Sequence, residues 1–219
     1  MGFFRRHQGR GSYDLFSNYA HYLPDVGGMF LLFVLFLLGA LLGNIIVIGL
    51  GLFSLEFAAT YGTVISYPVM FIPPLLYASA QSRRNEFFDK GYAMDSNNFG
   101  RLGGASLALV VAVATLAVAF MTDALTKVMP ETPQWFEDAM GAIMDAPVWI
   151  TLLSVSVFAP LFEEWLCRGL VLRGLLMKMK PWAAITVSAV FFAVLHMNPW
   201  QAVPAFILGV LFGYVYYRT

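Results

Sequence analysis

Long stretches without charged residues divide this sequence into segments that can cross a membrane. A transmembrane helix needs about 20 consecutive, mainly apolar residues. Five such stretches occur, and the last is long enough for two helices. They are Val26–Leu55, Phe57–Ser82, Leu102–Thr122, Ala146–Phe162 and Pro181–Tyr217. The pattern therefore predicts an all-α, polytopic membrane helical bundle of about six transmembrane helices.

Turn signals and charges suggest how the last stretches are arranged. The fourth helix can continue past its first charged residues as far as Met179, and Lys180-Pro181 is a natural turn into the fifth. Asn198-Pro199 is the turn into the sixth. Helices four and five are therefore expected to run antiparallel. The predicted organisation is a polar tail at 1–25, one transmembrane domain at 26–219 and a motif-bearing core at 146–217.

Composition supports this class of protein. Apolar residues make up 59% of the chain and charged residues 12%, whereas a soluble domain is roughly 45–50% apolar and about 25% charged. These values exclude a soluble globular protein, a disordered chain and a nucleic-acid binder with a basic surface. The lone Cys167 excludes a disulfide framework. The predicted partner is the lipid bilayer, with no nucleic acid.

The distribution of basic residues predicts the orientation in the membrane. Lys and Arg collect in short cytoplasmic loops. With both termini in the cytoplasm, twelve of the thirteen basic residues fall on that side. They are Arg5, Arg6, Arg10, Arg83, Arg84, Lys90, Arg101, Arg168, Arg173, Lys178, Lys180 and Arg218. Lys127 and the acidic segment Asp123–Asp145 fall on the opposite side. The style of the sequence suggests a bacterial plasma membrane.

Within that acidic segment, residues Glu131–Asp145 also carry several large apolar side chains, such as Trp135 and Phe136. Their spacing is compatible with an amphipathic helix at the membrane interface. An ordinary loop with some apolar residues is the alternative, and both stay open.

Three charged residues on the fourth helix need an explanation. A charged side chain at the centre of a bilayer costs at least about 2.5–3.5 kcal/mol on insertion scales. Glu164 and Arg168 are four residues apart, so they share a helix face and can form an ion pair. Glu163 lies about 100° round the helix. Glu163 is therefore an acid without a partner in its own helix.

The fifth helix offers a partner for Glu163. His196 is the only histidine in the predicted membrane domain. Both residues lie about 22–26 Å from the Lys180 turn at ~1.5 Å per residue, so they are expected at the same depth. A carboxylate and an imidazole on neighbouring helices can hold and deprotonate one water molecule, which is a general-base arrangement for hydrolysis.

Other interpretations of these residues stay open. Buried Glu–His and Glu–Arg pairs also fasten helices together, and intramembrane charges can form a proton or ion pathway. Cys167 shares a face with Glu163 and could form a nucleophile pair with His196. Zinc at Glu163 and His196 is possible but not indicated, because these are only two ligands. No redox or nucleotide cofactor is expected.

Two motifs on these helices resemble a known family. Glu163-Glu164-Trp165-Leu166-Cys167-Arg168 is similar to the EExxxR motif of the CAAX protease and bacteriocin-processing (CPBP, Abi) family. That family includes the type II CAAX prenyl endopeptidases. Phe192-Ala193-Val194-Leu195-His196 matches its second motif, FxxxH. The resemblance extends from about Phe158 to Tyr217.

The resemblance implies a function and a set of roles. Glu163 would activate the hydrolytic water and His196 would help to orient it. Glu164 and Arg168 would shape the site, and Phe192 would pack beneath the histidine. The implied activity is endoproteolysis of membrane-associated or lipidated protein substrates. The alternative is a non-catalytic protein on the same scaffold, such as a bacteriocin-immunity factor; a transporter is a third possibility.

One part of the family pattern has no counterpart in the sequence. Family members carry a third motif on a later helix, a His or Asn followed four residues later by Asn or a small residue, whose side chains are thought to stabilise the oxyanion. The sequence ends at Thr219, where that helix would be expected. We therefore expect a fragment that lacks one or more C-terminal helices. The sequence predicts neither the individual substrate nor the oligomeric state.

Overall fold

The computed structural model describes residues 22–86, 99, 103–126 and 129–219. Several basic residues used above to predict the orientation lie outside the described residues. They are Arg5, Arg6, Arg10, Lys90, Arg101 and Lys127. Most of the expected polar tail at 1–25 also lies outside them, so its separation from the membrane domain stays a prediction.

Helices account for every regular element in the described part of the chain. In chain order these are α1 (Val26–Phe53), α2 (Leu55–Glu86), α3 (Gly103–Thr126), α4 (Gln134–Met144), α5 (Val148–Leu176), α6 (Pro181–Leu195) and α7 (Pro199–Arg218). The all-α fold class is confirmed.

Five of these helices, α1, α2, α3, α5 and α7, are long and apolar enough to cross a membrane. α6 has 15 residues and therefore reaches about 22 Å, less than the ~30 Å hydrocarbon core. The sequence predicts about six transmembrane helices, whereas the described part of the chain contains five of that length and the shorter apolar helix α6. α6 is shorter because the polar turn at His196–Asn198 ends it.

Large apolar side chains cover the outer faces of the bundle. Phe30 on α1 is 66% exposed, and Leu109 on α3 is 67% exposed. Soluble proteins rarely expose extended apolar surfaces. The exposure therefore fits helices that contact lipid, and the chain is a multi-pass membrane protein.

Two stretches of α5 depart from α-helical winding. Leu152–Phe158 and Trp165–Leu172 form π-helical stretches, and the rest of α5 is α-helical. Pro160 follows the first stretch, and its missing N–H leaves a gap in the hydrogen-bond ladder that a change of winding accommodates. The predicted continuous helix is confirmed, with its end at Leu176 rather than Met179.

Glycines allow α1 and α2 to pack closely. A Cβ atom on Gly39 would overlap the backbone carbonyl of Met70, and one on Gly43 would lie 3.0 Å from the carbonyl oxygen of Ser66. Small residues four apart bring helix backbones together in membranes, where packing drives association. The first two helices therefore form a tight antiparallel pair.

A second stripe of small residues joins α6 to α7. A Cβ on Gly209 would lie 2.9 Å from the Cα of Ala189, and one on Gly213 would lie 3.1 Å from Ile185. Ala205 in the same stripe is also buried. α6 and α7 thus pack as a hairpin, which brings the end of α6 beside the start of α7.

One end of the bundle is closed by contacts between the start of α1 and the end of α5. Asp25 caps α1 by accepting a hydrogen bond from the Gly28 N–H at 2.8 Å, and it lies 3.4 Å from Lys178 Nζ. The hydrogen bond from Gly28 has the largest effect on Asp25, and the contact with charged Lys178 adds to it. Together they hold the pKa of Asp25 below its ordinary value. Gly174 leaves room for the carbonyl of Pro24.

Helix α4 packs across the opposite end. Trp200 Nε1 donates to the Pro130 carbonyl at 2.9 Å, and its ring lies 5.4 Å from that of Phe136. Thr151 Oγ1 donates to the Ile143 carbonyl at 2.9 Å. The segment Glu131–Asp145 therefore contains a helix, and the loop interpretation is wrong. Its apolar face packs against the starts of α5 and α7.

Candidate active site

Glu164 and Arg168 form the ion pair that their spacing predicts. Arg168 Nη1 lies 3.0 Å from Glu164 Oε1, a contact between charges rather than a well-directed hydrogen bond. Both glutamates lie just before the second π stretch of α5, and π turns are frequent at functional sites. Nearly all residues of this π stretch are buried in the bundle.

Arg168 is almost completely buried, at 2% exposure. Its guanidinium carbon lies 4.7 Å from the ring centre of Phe192 and 5.5 Å from that of Phe212. Nη2 donates to the Gly209 carbonyl at 3.3 Å. Two aromatic faces, a carboxylate and a carbonyl thus surround this cation, and such partners offset the cost of burying a charge.

Glu163 accepts a hydrogen bond from a residue that the sequence did not predict. The Tyr67 hydroxyl on α2 donates to Glu163 Oε1 at 2.6 Å, across 96 positions of sequence. The neighbouring rings of Phe71 and Phe162 stack with centroids 5.1 Å apart. α2 therefore packs against α5 at the level of Glu163, and its tyrosine occupies one oxygen of the half-buried carboxylate.

His196 follows the last helical residue of α6 and is half-buried. Its Nδ1 lies 2.9 Å from the Phe192 carbonyl, which can only accept a hydrogen bond, so we assign the proton to Nδ1 in the neutral ring. Nε2 then carries the free lone pair. Phe192 packs edge-to-face against the imidazole at 5.0 Å.

The ring of Phe192 connects the two motifs. It lies 5.0 Å from the His196 imidazole and 4.7 Å from the guanidinium carbon of Arg168. Arg168 in turn pairs with Glu164, the neighbour of Glu163 in the chain. The equal depth of Glu163 and His196 stays a prediction.

A polar turn follows His196 directly. Met197 adopts a left-handed conformation with φ of 54°, which reverses the chain. Asn198 caps α7 by accepting from the Gln201 N–H at 2.8 Å, and its side-chain amide donates to the His196 carbonyl at 2.8 Å. The predicted turn at Asn198-Pro199 is confirmed, and these bonds hold the backbone of His196.

Cys167 is fully buried, and its carbonyl accepts a hydrogen bond from Ser188 Oγ on α6 at 3.0 Å. A thiol packed in an apolar core fits a structural role better than the nucleophile considered above. No group of three His, Cys, Asp or Glu side chains in the described part of the chain is arranged to hold a metal ion.

The sequence analysis missed Tyr67, Phe212 and the carbonyl of Gly209. A tyrosine inside an apolar span is a weak signal, because α2 carries three of them, Tyr61, Tyr67 and Tyr77. Only the packing of α2 on α5 determines which of these tyrosines contacts Glu163. Phe212 and Gly209 lie on α7, whose apolar pattern gives no sign of a buried cation.

Comparison with known families agrees with the two motifs. Residues 145–219 match the sequence model of the Rce1-like family, described as type II CAAX prenyl endopeptidase Rce1-like. This match covers the C-terminal third of the chain, which we refer to as the Rce1-like region. The resemblance drawn from the sequence is confirmed for this region, which contains both motifs. No curated protein and no solved structure matches the chain significantly. The Rce1-like region indicates a membrane protein of the CAAX protease type.

Proposed function

We propose that this chain belongs to a membrane endopeptidase that cleaves membrane-associated or lipidated proteins with water activated by Glu163 and His196. The observation that carries the proposal is that each motif holds its functional group at one atom, the Glu163 carboxylate at Oε1 and the His196 imidazole at Nδ1. Each group therefore presents one free acceptor. The proposed setting is a bacterial plasma membrane, with intramembrane proteolysis as the reaction.

The two free acceptors define the chemistry. A water molecule can donate one hydrogen to Glu163 Oε2 and the other to His196 Nε2, which leaves its own lone pair directed at a substrate carbonyl carbon. As the oxygen–carbon bond forms, Glu163 takes up the proton and the carbonyl oxygen becomes an oxyanion. When the tetrahedral intermediate collapses, the carbon–nitrogen bond breaks and Glu163 returns the proton to the leaving amine.

The remaining motif residues support this pair. Phe192 contacts both the His196 ring and the Arg168 guanidinium, so it couples the histidine on α6 to the ion pair on α5. Glu164 neutralises Arg168, which otherwise would add an uncompensated positive charge beside Glu163. These three side chains preserve the geometry of the site and do not take part in proton transfer.

The experiment that tests the proposal measures peptide cleavage in liposomes. The probe is an internally quenched, farnesylated peptide that ends in a CAAX-type tripeptide. We expect Glu163→Gln and His196→Ala each to lower kcat by about 10²–10⁴-fold, the usual contribution of a general base. The matched control is Glu56→Gln, because Glu56 lies exposed at the start of α2.

All variants should elute as monodisperse protein with a melting temperature close to that of the wild type. Full activity of a folded Glu163→Gln protein would contradict the proposed chemistry. If the wild type cleaves nothing, yet it and both variants protect host cells equally from a bacteriocin, the non-catalytic immunity function replaces the proposal.

A further inference from the structure

We propose that Tyr67 is the positioning residue for Glu163, so that a helix outside the Rce1-like region completes the active site. The inference rests on the proposed function, because it assigns to Tyr67 an effect on the carboxylate that activates water. Tyr67 lies on α2, whereas the family match begins at residue 145. The N-terminal half would then contribute to catalysis as well as to anchoring.

The contact itself has the geometry of a strong hydrogen bond. The Tyr67 hydroxyl lies 2.6 Å from Glu163 Oε1, and O–H···O⁻ bonds of about 2.5–2.7 Å are charge-assisted and roughly twice as strong as neutral ones. A phenolic hydroxyl has one hydrogen to donate. Tyr67 therefore selects Oε1 and leaves Oε2 as the oxygen available to water.

Aromatic packing determines which residue of α2 faces Glu163. Phe71 lies one turn after Tyr67, so the two side chains share a face of α2. Phe71 stacks on Phe162 at 5.1 Å and packs against Phe36 of α1 at 5.4 Å. Because Phe162 immediately precedes Glu163, this three-ring contact brings Tyr67 level with the carboxylate. The hydroxyl is thus held by α1, α2 and α5 together.

Loss of this hydroxyl should affect turnover more than substrate binding. Without the Tyr67 hydroxyl, the Glu163 carboxylate can rotate about its terminal torsion, which is broad in the absence of a partner. Oε2 would then be aligned with the water shared with His196 for only part of the time. The Tyr67 ring would still fill its space, so substrate contacts need not change.

The test is Tyr67→Phe, which removes one oxygen atom and keeps the ring. In the liposome assay with the farnesylated peptide, we expect kcat to fall by about 10- to 100-fold, as for loss of a hydrogen bond to a charged group. KM should stay within about twofold. The matched control is Tyr61→Phe on the same helix. Tyr61 packs on Phe57 and Trp149, and we expect its kinetics to equal those of the wild type.

A spectroscopic measurement tests the contact without any turnover. The infrared difference between wild type and Glu163→Gln isolates the carboxyl band of Glu163. The difference between Tyr67→Phe and the Tyr67→Phe/Glu163→Gln double variant isolates the same band in the absence of the Tyr67 hydroxyl. We expect its frequency to differ from that in the wild-type background. A role in packing alone would leave the band in place.

The outcomes separate this inference from the proposed function. If Glu163→Gln is inactive while Tyr67→Phe keeps the wild-type kcat, the role of Tyr67 is wrong and the proposed function stands. If the wild type does not cleave the peptide or Glu163→Gln does, the proposed function fails. In that case the infrared measurement still tests the contact. A Glu163 band that does not shift in Tyr67→Phe overturns the assignment of Tyr67, whereas a shifted band supports the hydrogen bond.

Discussion

At the scale of single residues, the arginine of the first motif has the most demanding surroundings. Arg168 is a permanent charge in an apolar environment, and its Nε–H has no hydrogen-bond partner among the described residues. Its planar guanidinium contacts the rings of both Phe192 and Phe212, while Nη1 lies beside Glu164. The contacts with the two rings therefore depend on the flat shape of the guanidinium, and the pairing with Glu164 depends on its charge.

Arg168→Lys should destabilise the protein although it preserves the charge. A lysine ammonium is a point charge, so it cannot stack on two rings and also reach the Gly209 carbonyl. We expect the free energy of unfolding to fall by about 2–4 kcal/mol, from lost cation–π and hydrogen-bond contributions. Unfolding by SDS in mixed micelles measures this change. Arg218→Lys, at the exposed end of α7, is the control. Equal effects of the two variants would contradict the explanation.

The residue pairs show which contacts a sequence can predict. Glu164 and Arg168 are neighbours on one helix, so their spacing alone indicates the ion pair. For Glu163 and His196, residue counts on two helices joined by a short turn predict equal depth, which is a weaker statement than a contact. Tyr67 is different, because 96 positions separate it from Glu163 and no local pattern reports how α2 packs on α5.

At the scale of helices, the glycines of α1 decide how closely it approaches α2. Gly39→Ala should destabilise the pair, because the new Cβ would overlap the Met70 carbonyl and force the backbones apart. Overpacking of this kind typically costs about 1–3 kcal/mol. Gly49→Ala on the same helix meets nothing within 4 Å, so it should be neutral or stabilise by up to about 1 kcal/mol through helix propensity.

The melting temperature of the two variants in one detergent measures this difference. We expect a lower value for Gly39→Ala and an unchanged or higher value for Gly49→Ala. A fall of equal size in both would indicate a general effect of alanine in α1 and would contradict the role of the close contact.

Helix lengths mark the limit of the sequence pattern at this scale. The uncharged stretch at 181–217 correctly indicates two helices, and the turn predicted at Asn198-Pro199 lies just after the end of α6 at Leu195. The uncharged stretch alone, however, does not show that α6 is shorter than a full span. The sequence of α5 gives no sign of its π stretches, since these depend on how Pro160 and the following residues pack. Patterns of charge thus predict the number of helices better than their length or winding.

At the scale of the whole molecule, opposite charges occupy opposite ends. Arg83 and Arg84 end α2, Lys178 and Lys180 lie between α5 and α6, and Arg218 ends α7. The contact between Asp25 and Lys178 ties the start of α1 to this same end. The acidic residues around α4 lie at the other end; they are Glu131, Glu137, Asp138 and Asp145.

This separation of charge predicts the orientation, which single-cysteine labelling can measure. With Cys167 replaced by alanine, Lys180→Cys should react with a membrane-impermeant maleimide only in inside-out vesicles, because basic ends face the cytoplasm. Asp145→Cys should react only in right-side-out vesicles. Because α6 begins beside Lys180 and extends about 22 Å, His196 then lies in the half of the membrane that faces α4. The opposite labelling pattern would reverse the orientation and place His196 in the cytoplasmic half.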